Sequence, residues 1–411
     1  SREDLFNKLS EYTRSHYYSD DSFNKSGYNN PSLTDGGDGY CYKEVNGEPY
    51  KQGVAYHIKG KNCNYAKIDG KTVAAMFPDL ASKSIAYGAG LIKLFYDATT
   101  TTPTGSINLP DTGQTTCYDG AGNVITCPFP GQPLAQDGSY SINPISYTDN
   151  PDDTVTDNNT GLVWQKNGDT NTYNWYQASG TYDATYNPTS QDVSASHGAG
   201  WRLPTRQELL SIVNYSLPYP GPTMSVEHFP NTVGAHHWSS TTAGGAPGYP
   251  WQVFFNTGES AAVNPAGVGS YVKCVKGGAL STGPFTKNSD GTVTDSTTGL
   301  VWQRDESGQM TWELALNYCE SSSFAGKTDW RLPSIRELEY LVDYTRTESP
   351  QIDLASFPDA HATPYWSSTS YAADPSWAWV QPFNIGGLTR IEKTDLYYTH
   401  FVRCVRGGTL P

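Results

Sequence analysis

The sequence predicts an α+β protein in which one β-rich domain occurs twice, behind an N-terminal α+β region of another kind. Three observations carry this. Four sequence blocks recur in one order, turn-forming and aromatic residues abound, and helical periodicity is confined to short segments. The 411 residues include 40 Gly, 27 Pro, 29 Tyr and 11 Trp. A disordered chain would be poor in aromatics, and the Gly and Pro mark a loop-rich fold. The formal net charge of −14 argues against a nucleic-acid binder, whose footprint is a basic stripe. No run reaches the roughly 18–20 apolar residues that a membrane span needs. No secretory apolar segment is evident either, so the numbering is expected to begin at a mature terminus or inside a longer chain.

The duplication is read from the blocks themselves. TVTDNNTGLVWQK (Thr154–Lys166) returns as TVTDSTTGLVWQR (Thr292–Arg304), and WRLPTRQELLSIV (Trp201–Val213) as WRLPSIRELEYLV (Trp330–Val342). WSSTT at Trp238 returns as WSSTS at Trp366, and YVKCVKGG (Tyr271–Gly278) as FVRCVRGG (Phe401–Gly408). The spacing stays between 128 and 138 residues. The expected layout is 1–103, a possible assembly or anchoring module; 104–144, a hairpin lead-in; 145–280 and 281–411, the two repeats. Each repeat is long enough to bury its own core. Trp164, Trp302, Trp201, Trp330, Trp238 and Trp366 are the expected repeat core.

Within each repeat, turns at Asn150–Asp153 and Asn288–Gly291 lie between extended stretches and predict an opening β-hairpin. The acidic turn lacks the spacing and terminal Glu of an EF-hand loop. Trp312–Cys319 is spaced as an amphipathic helix, with Trp175–Tyr182 its weaker, Gly-containing counterpart. Thr205-x-x-Glu208 and Ser334-x-x-Glu337 fit capping boxes, in which hydroxyl and carboxylate each satisfy a terminal N–H. That accounts for both acids without catalysis, and Arg202 and Arg331 read as forks bonding loop carbonyls or a carboxylate. The closing strand is expected to set Val and Cys on one face, Lys and Arg on the other, and to pair with the opening strand.

Seven cysteines (41, 63, 117, 127, 274, 319 and 404) form no CxxC pair. Cys117 and Cys127 bracket a hairpin they could staple, and Cys41 and Cys63 flank a strand pair centred on Asn46-Gly47 that a bridge would suit. Together with the low Lys content, this favours an oxidising, extracellular setting. The N-terminal region also carries an amphipathic helical pattern over 1–17 and a linker at 98–103.

No HExxH, GxSxG or P-loop is present. His236 and His237 are adjacent, so in a strand they point to opposite faces and share no metal. The unshared aromatics between WSST and the last strand are better binding candidates, since aromatic faces stack on sugar rings or anchor interfaces. They are Tyr371, Trp377, Tyr397 and Tyr398, with Arg390 beside them and Tyr249 in the first repeat; Tyr182 and Tyr186 in the first-repeat insertion form a second exposed group. Trp251 and Trp379 align between the repeats and read as core.

The blocks D-x-T-V-T-D-x-x-T-G-L-V-W, W-R-L-P-[TS]-x-x-E-L, W-S-S-T and C-V-[KR]-G-G resemble the Lcl C-terminal domain family over about 109–408. The resemblance implies a C-type-lectin-like fold, related to formylglycine-generating enzymes, on secreted or surface-anchored bacterial proteins and used for binding rather than chemistry. It implies a helix–strand disulfide between Cys319 and Cys404. Cys274 lacks the equivalent partner, because Tyr182 stands at that position, and is either a free buried thiol or a partner for the N-terminal region. The cysteine pair that would hold copper in an oxidase of this fold has no counterpart, and the EPN and QPD sugar motifs of calcium-dependent lectins are absent. No cofactor is therefore expected, with a structural calcium ion the only metal left open.

The expected function is an extracellular or cell-surface binding or adhesion protein, not an enzyme, that presents loops to a glycan or a surface protein. The competing expectation is a structural subunit that self-associates into a filament or coat through residues 1–103.

Overall fold

The computed structural model describes residues 107–407, except 247, 268, 281–282, 385–386 and 395–398, together with the backbone of four short strands further upstream. Those strands are β1 (Leu33–Asp35), β2 (Tyr40–Val45), β3 (Glu48–Pro49) and β4 (Ala55–Tyr56). β2 and β3 pair antiparallel across Asn46-Gly47, as the turn signal predicts. A bridge between Cys41 and Cys63 and the 1–17 helix fall outside the described residues. Residues 1–103 form one compact unit and 104–410 another.

The second unit opens with the lead-in. β5 (Cys117–Tyr118) and β6 (Val124–Ile125) make a small hairpin stapled by the Cys117–Cys127 disulfide. Each repeat then begins as its sequence dictates. β7 (Tyr147–Asp149), β8 (Thr154–Asp157) and β9 (Val163–Gln165) form a meander in the first repeat. In its turn, Asn150 Nδ2 donates to Thr154 and Thr156 Oγ1 at 2.8 and 2.9 Å, and Asn288 does the same to Thr292 and Thr294. Helix α1 (Trp175–Ser179) is capped by Asn174 and stopped by Gly180 at φ 73°. Helix α2 (Arg206–Ser211) carries the predicted capping box of Thr205 and Glu208. A three-stranded sheet follows, β10 (His236–Thr242), β11 (Pro250–Phe254) and β12 (Ser260–Ala262). Strand β13 (Val275–Lys276) returns to β9, giving the order β13-β9-β8-β7. The closing strand thus pairs with the third strand, not the first.

The second repeat follows the same order with β14 (Phe285–Lys287), β15 (Thr292–Asp295), β16 (Val301–Gln303) and a short β17 (Ser307–Met310). Helix α3 (Trp312–Glu320) and helix α4 (Ile335–Tyr340) come next, the latter under the Ser334–Glu337 capping box. Strands β18 (Pro364–Ser370), β19 (Trp377–Pro382), β20 (Thr389–Glu392), β21 (His400–Val402) and β22 (Val405–Arg406) complete it. The fold is therefore β-rich α+β with two tandem repeats.

Two further expectations need correction. The repeats do not keep wholly separate cores, because one buried cluster joins Trp164, Leu209, Val213 and Phe255 of the first to Ile335, Trp379 and Leu388 of the second. The contact is reciprocal. Tyr215 meets Trp379 edge-on at 5.4 Å, and its repeat equivalent Tyr344 meets Trp251 at 6.0 Å, as a two-fold pairing requires. Secondly, Lys273 and Arg403 do not face solvent; both are fully buried, because the closing strand breaks before β13 and β22 and turns these side chains inward.

Candidate functional site

The tip of the β18–β19 hairpin is shaped by its own side chains. Asp374 Oδ1 accepts from Ser376 N–H (3.2 Å) and Oγ (2.6 Å), and Tyr371 N–H bonds Trp377 O at 2.8 Å. This Asx-type turn fixes Tyr371 and Trp377 at its two ends. β20 pairs with β19 so that Arg390 lies opposite Trp379, and its guanidinium stacks 4.4 Å from the Tyr371 ring centroid. Tyr371 in turn rests edge-on against the buried Trp379 at 5.5 Å. The first repeat contributes Glu259, which forms an ion pair with Arg390 in which both side chains keep partial exposure.

Glu259, Tyr371, Asp374, Trp377, Thr389 and Arg390 line an open cleft of about 440 Å³ at the seam between the repeats. It offers two aromatic surfaces, two carboxylates that accept and one guanidinium that donates. Its formal charge is one negative, which suits a neutral hydroxyl-rich or weakly basic ligand better than a polyanion.

Of the six predicted binding residues, Tyr371, Trp377 and Arg390 meet in this cleft. Tyr249 occupies the corresponding hairpin of the first repeat, exposed, but does not line the cleft. Tyr397 and Tyr398 fall outside the described residues. Glu259 and Thr389 were not foreseen: Glu259 aligns with Gly387, so repeat comparison gives no signal for it, and only the pairing of the repeats brings it to Arg390.

The remaining candidates are structural. Trp164, Trp238, Trp302, Trp330 and Trp366 are buried core. Trp201 departs from this, being only partly buried, with Lys276 Nζ 4.6 Å above its ring. Arg202 and Arg331 make the predicted forks, each bidentate to its capping Glu at 2.6–2.7 Å and each also reaching a loop carbonyl, Gly277 O or Gly407 O. The Cys319–Cys404 disulfide ties α3 to the last strands, whereas Cys274 is a free buried thiol whose acidity burial lowers, pushing it up to about 12. Its missing partner has a backbone cause: α1 ends at Gly180, so Tyr182 lies outside the helix and exposed. His236 and His237 do point to opposite faces, exposed and buried; burial holds His237 down at about 3.

A second cavity, beside Asp111, Asp137, Tyr140, Arg331 and Glu337, measures only about 20 Å³, room for about one water. Burial, and then the charge of Asp111, push Asp137 up to about 7 there, while Thr112 and Thr369 donate to it at 2.8 and 2.5 Å. It holds the lead-in against the second repeat. Among the described residues, no group of three or more His, Cys, Asp or Glu is placed to hold a metal ion, and no helix is long and apolar enough to cross a membrane.

No curated protein matches the chain. The Lcl C-terminal domain profile matches residues 153–276 and again 291–406, together more than half the chain. The protein therefore belongs to the Lcl C-terminal domain family, with two tandem copies of its domain.

Proposed function

We propose that the protein is an extracellular or cell-surface binding protein, and not an enzyme, whose ligand is a glycan seated in the cleft between the two repeats. The observation that carries this reading is the convergence of Tyr371, Trp377 and Arg390 with Glu259 and Asp374 at one open seam. Sugar C–H faces pack on aromatic rings, and hydroxyls pair with carboxylates and guanidinium in a planar, directional way. The two disulfides among the described residues support an oxidising location. A C-type-lectin-like assignment for each repeat is supported by the opening hairpin, the two helices and the helix-to-strand bridge in the second.

The test is an array of neutral, sialylated and sulfated glycans probed with the full chain and with Trp377→Ala and Arg390→Ala. Retention of neutral glycans, weakened about tenfold or more by either substitution, is the expected result. Retention indifferent to both, or no retention at all, would sink the reading. Negative-stain imaging of the same sample checks the competing role, since long polymers would favour a filament subunit built through residues 1–103.

A further inference from the structure

The two repeats present the same face to different surroundings. In the second repeat the lead-in covers it. The Gln114 carboxamide pairs with both backbone groups of Ser370 at 2.9 Å, Asp137 accepts from Thr369 Oγ1 at 2.5 Å, and the Tyr140 ring lies 5.4 Å from the Arg331 guanidinium. Strand β18 is accordingly buried from Tyr365 through Ser370.

The first repeat keeps the receiving atoms and has no such cover among the described residues. Thr241 Oγ1 accepts from Arg206 N–H at 3.0 Å, as Thr369 does from Ile335, but its own proton meets no acceptor among the described residues. The outward N–H and C=O of Thr242, equivalent to those Gln114 engages on Ser370, are likewise unpaired among them. Ser240 is exposed where Ser368 is buried, and the side chain of Arg202 is 29% exposed against 5% for Arg331. Gly244 backs onto the carbonyls of Tyr344 and Arg346, which closes one end of this strip.

We infer that this strip, Arg202 with Ser240–Thr242, is a docking site for an extended polypeptide segment of a partner protein. The segment presents a carboxamide or strand edge to Thr242, a carboxylate to Thr241 and an aromatic ring to Arg202. The occupant's chemistry is argued from the equivalent interface inside this molecule, where a polypeptide bearing those three groups already sits. The lead-in itself stays on the second repeat for a visible reason. Its hairpin and following loop also donate to the long helix α3, Gly120 to Glu313 (3.0 Å), Gly131 to Glu320 (2.9 Å) and Leu134 to Asn317 (2.9 Å). Helix α1 ends at Ser179 and offers no such acceptors, so the first repeat receives only the strand half of the interaction. This site is separate from the glycan cleft and stands whether or not that reading does.

The probe is a synthetic peptide of residues 107–144, oxidised at Cys117 and Cys127, titrated as a fluorescent conjugate into the full chain. Saturable one-to-one binding that weakens about tenfold or more in both Ser240→Arg and Thr241→Val is the expected result. Ser240 is exposed, so the Arg variant keeps the test valid should loss of the Thr241 hydroxyl disturb folding. Absence of saturable binding at millimolar peptide overturns the inference, as does binding that both variants leave intact, which would place the peptide on the second repeat by displacement. A concentration-dependent dimer of the unliganded chain, abolished by Ser240→Arg, overturns it in favour of a second copy as occupant.

Discussion

The two repeats share five tryptophan positions and diverge in how their buried polar groups are satisfied. At the same strand position the second repeat has Arg403 and the first Lys273. Arg403 bonds Asp359 at 3.0 Å and Gln303 O at 2.9 Å, with Glu306 at 3.7 Å and Arg304 O also in reach. Among the described residues, Lys273 reaches Thr232 Oγ1 at 3.1 Å and the Phe229 ring at 4.4 Å and no carboxylate. The first repeat has Gly168 and Asn231 in line with Glu306 and Asp359, so the acids and the guanidinium have gone together. Steric core survives duplication residue by residue, whereas a buried charge survives only as a complete set.

The largest expected difference concerns Cys404 and its repeat equivalent Cys274. Replacing both Cys319 and Cys404 with Ala opens a link between residues 85 apart, which costs about 4 kcal/mol. Cys274→Ala removes one buried sulfur and costs about 1 kcal/mol. Because the repeats share a core, both losses are expected within one cooperative transition of residues 107–407 in urea. Two resolved transitions would break the shared-core account.

Next in size is the Lys273–Arg403 contrast, where the two substitutions are expected to have opposite signs. Arg403→Met leaves Asp359 and Glu306 without their cation and costs about 3 kcal/mol. Lys273→Met removes an amine that burial holds down at about 7 and is expected to stabilise by about 1 kcal/mol at pH 7. The folded-state value lies below the unfolded one of 10.5. The unfolded chain therefore binds more protons between pH 7 and 10.5, and stability rises with pH across that window. Urea midpoints across this range check it: burial holds the Lys393 amine down at about 7 as well, so the wild-type rise should lose about half its slope in Lys273→Met, and an unchanged slope would sink the assignment to Lys273.

Sequence alone made legible whatever is local or repeated. The Asn-led hairpin turns, both capping boxes, the Arg forks and the Cys117–Cys127 staple each follow from side chains within a few residues or from a block seen twice. The burial of Lys273 and Arg403 was not legible, since period-two alternation placed them outward and a break in the strand, three residues in the first repeat and two in the second, turns them inward. Glu259 was not legible because its partner lies in the other repeat, and nothing local marks the pairing. Half the cleft was foreseen for the opposite reason: Tyr371 and Arg390 stand where the first repeat has Ala243 and Ala262, and Trp377 where it has the smaller ring of Tyr249.

The smallest effect tests the lead-in's hold on α3, a contact without counterpart in the first repeat among the described residues. Tyr140 donates to Glu320 Oε1 at 2.5 Å and Gly131 N–H to Oε2 at 2.9 Å, while burial pushes the Glu320 carboxyl up to about 7. Its folded value exceeds the ordinary 4.5, so the folded chain binds more protons between pH 4.5 and 7, and this group lowers stability as pH rises through that window. Tyr140→Phe removes a donor to the ionised form, worth about 1 kcal/mol. The loss should appear at pH 8, where Glu320 is charged, and shrink at pH 5, where it is protonated. An equal loss at both values would mean that Glu320 is already ionised at pH 5, and that its two donors outweigh its burial.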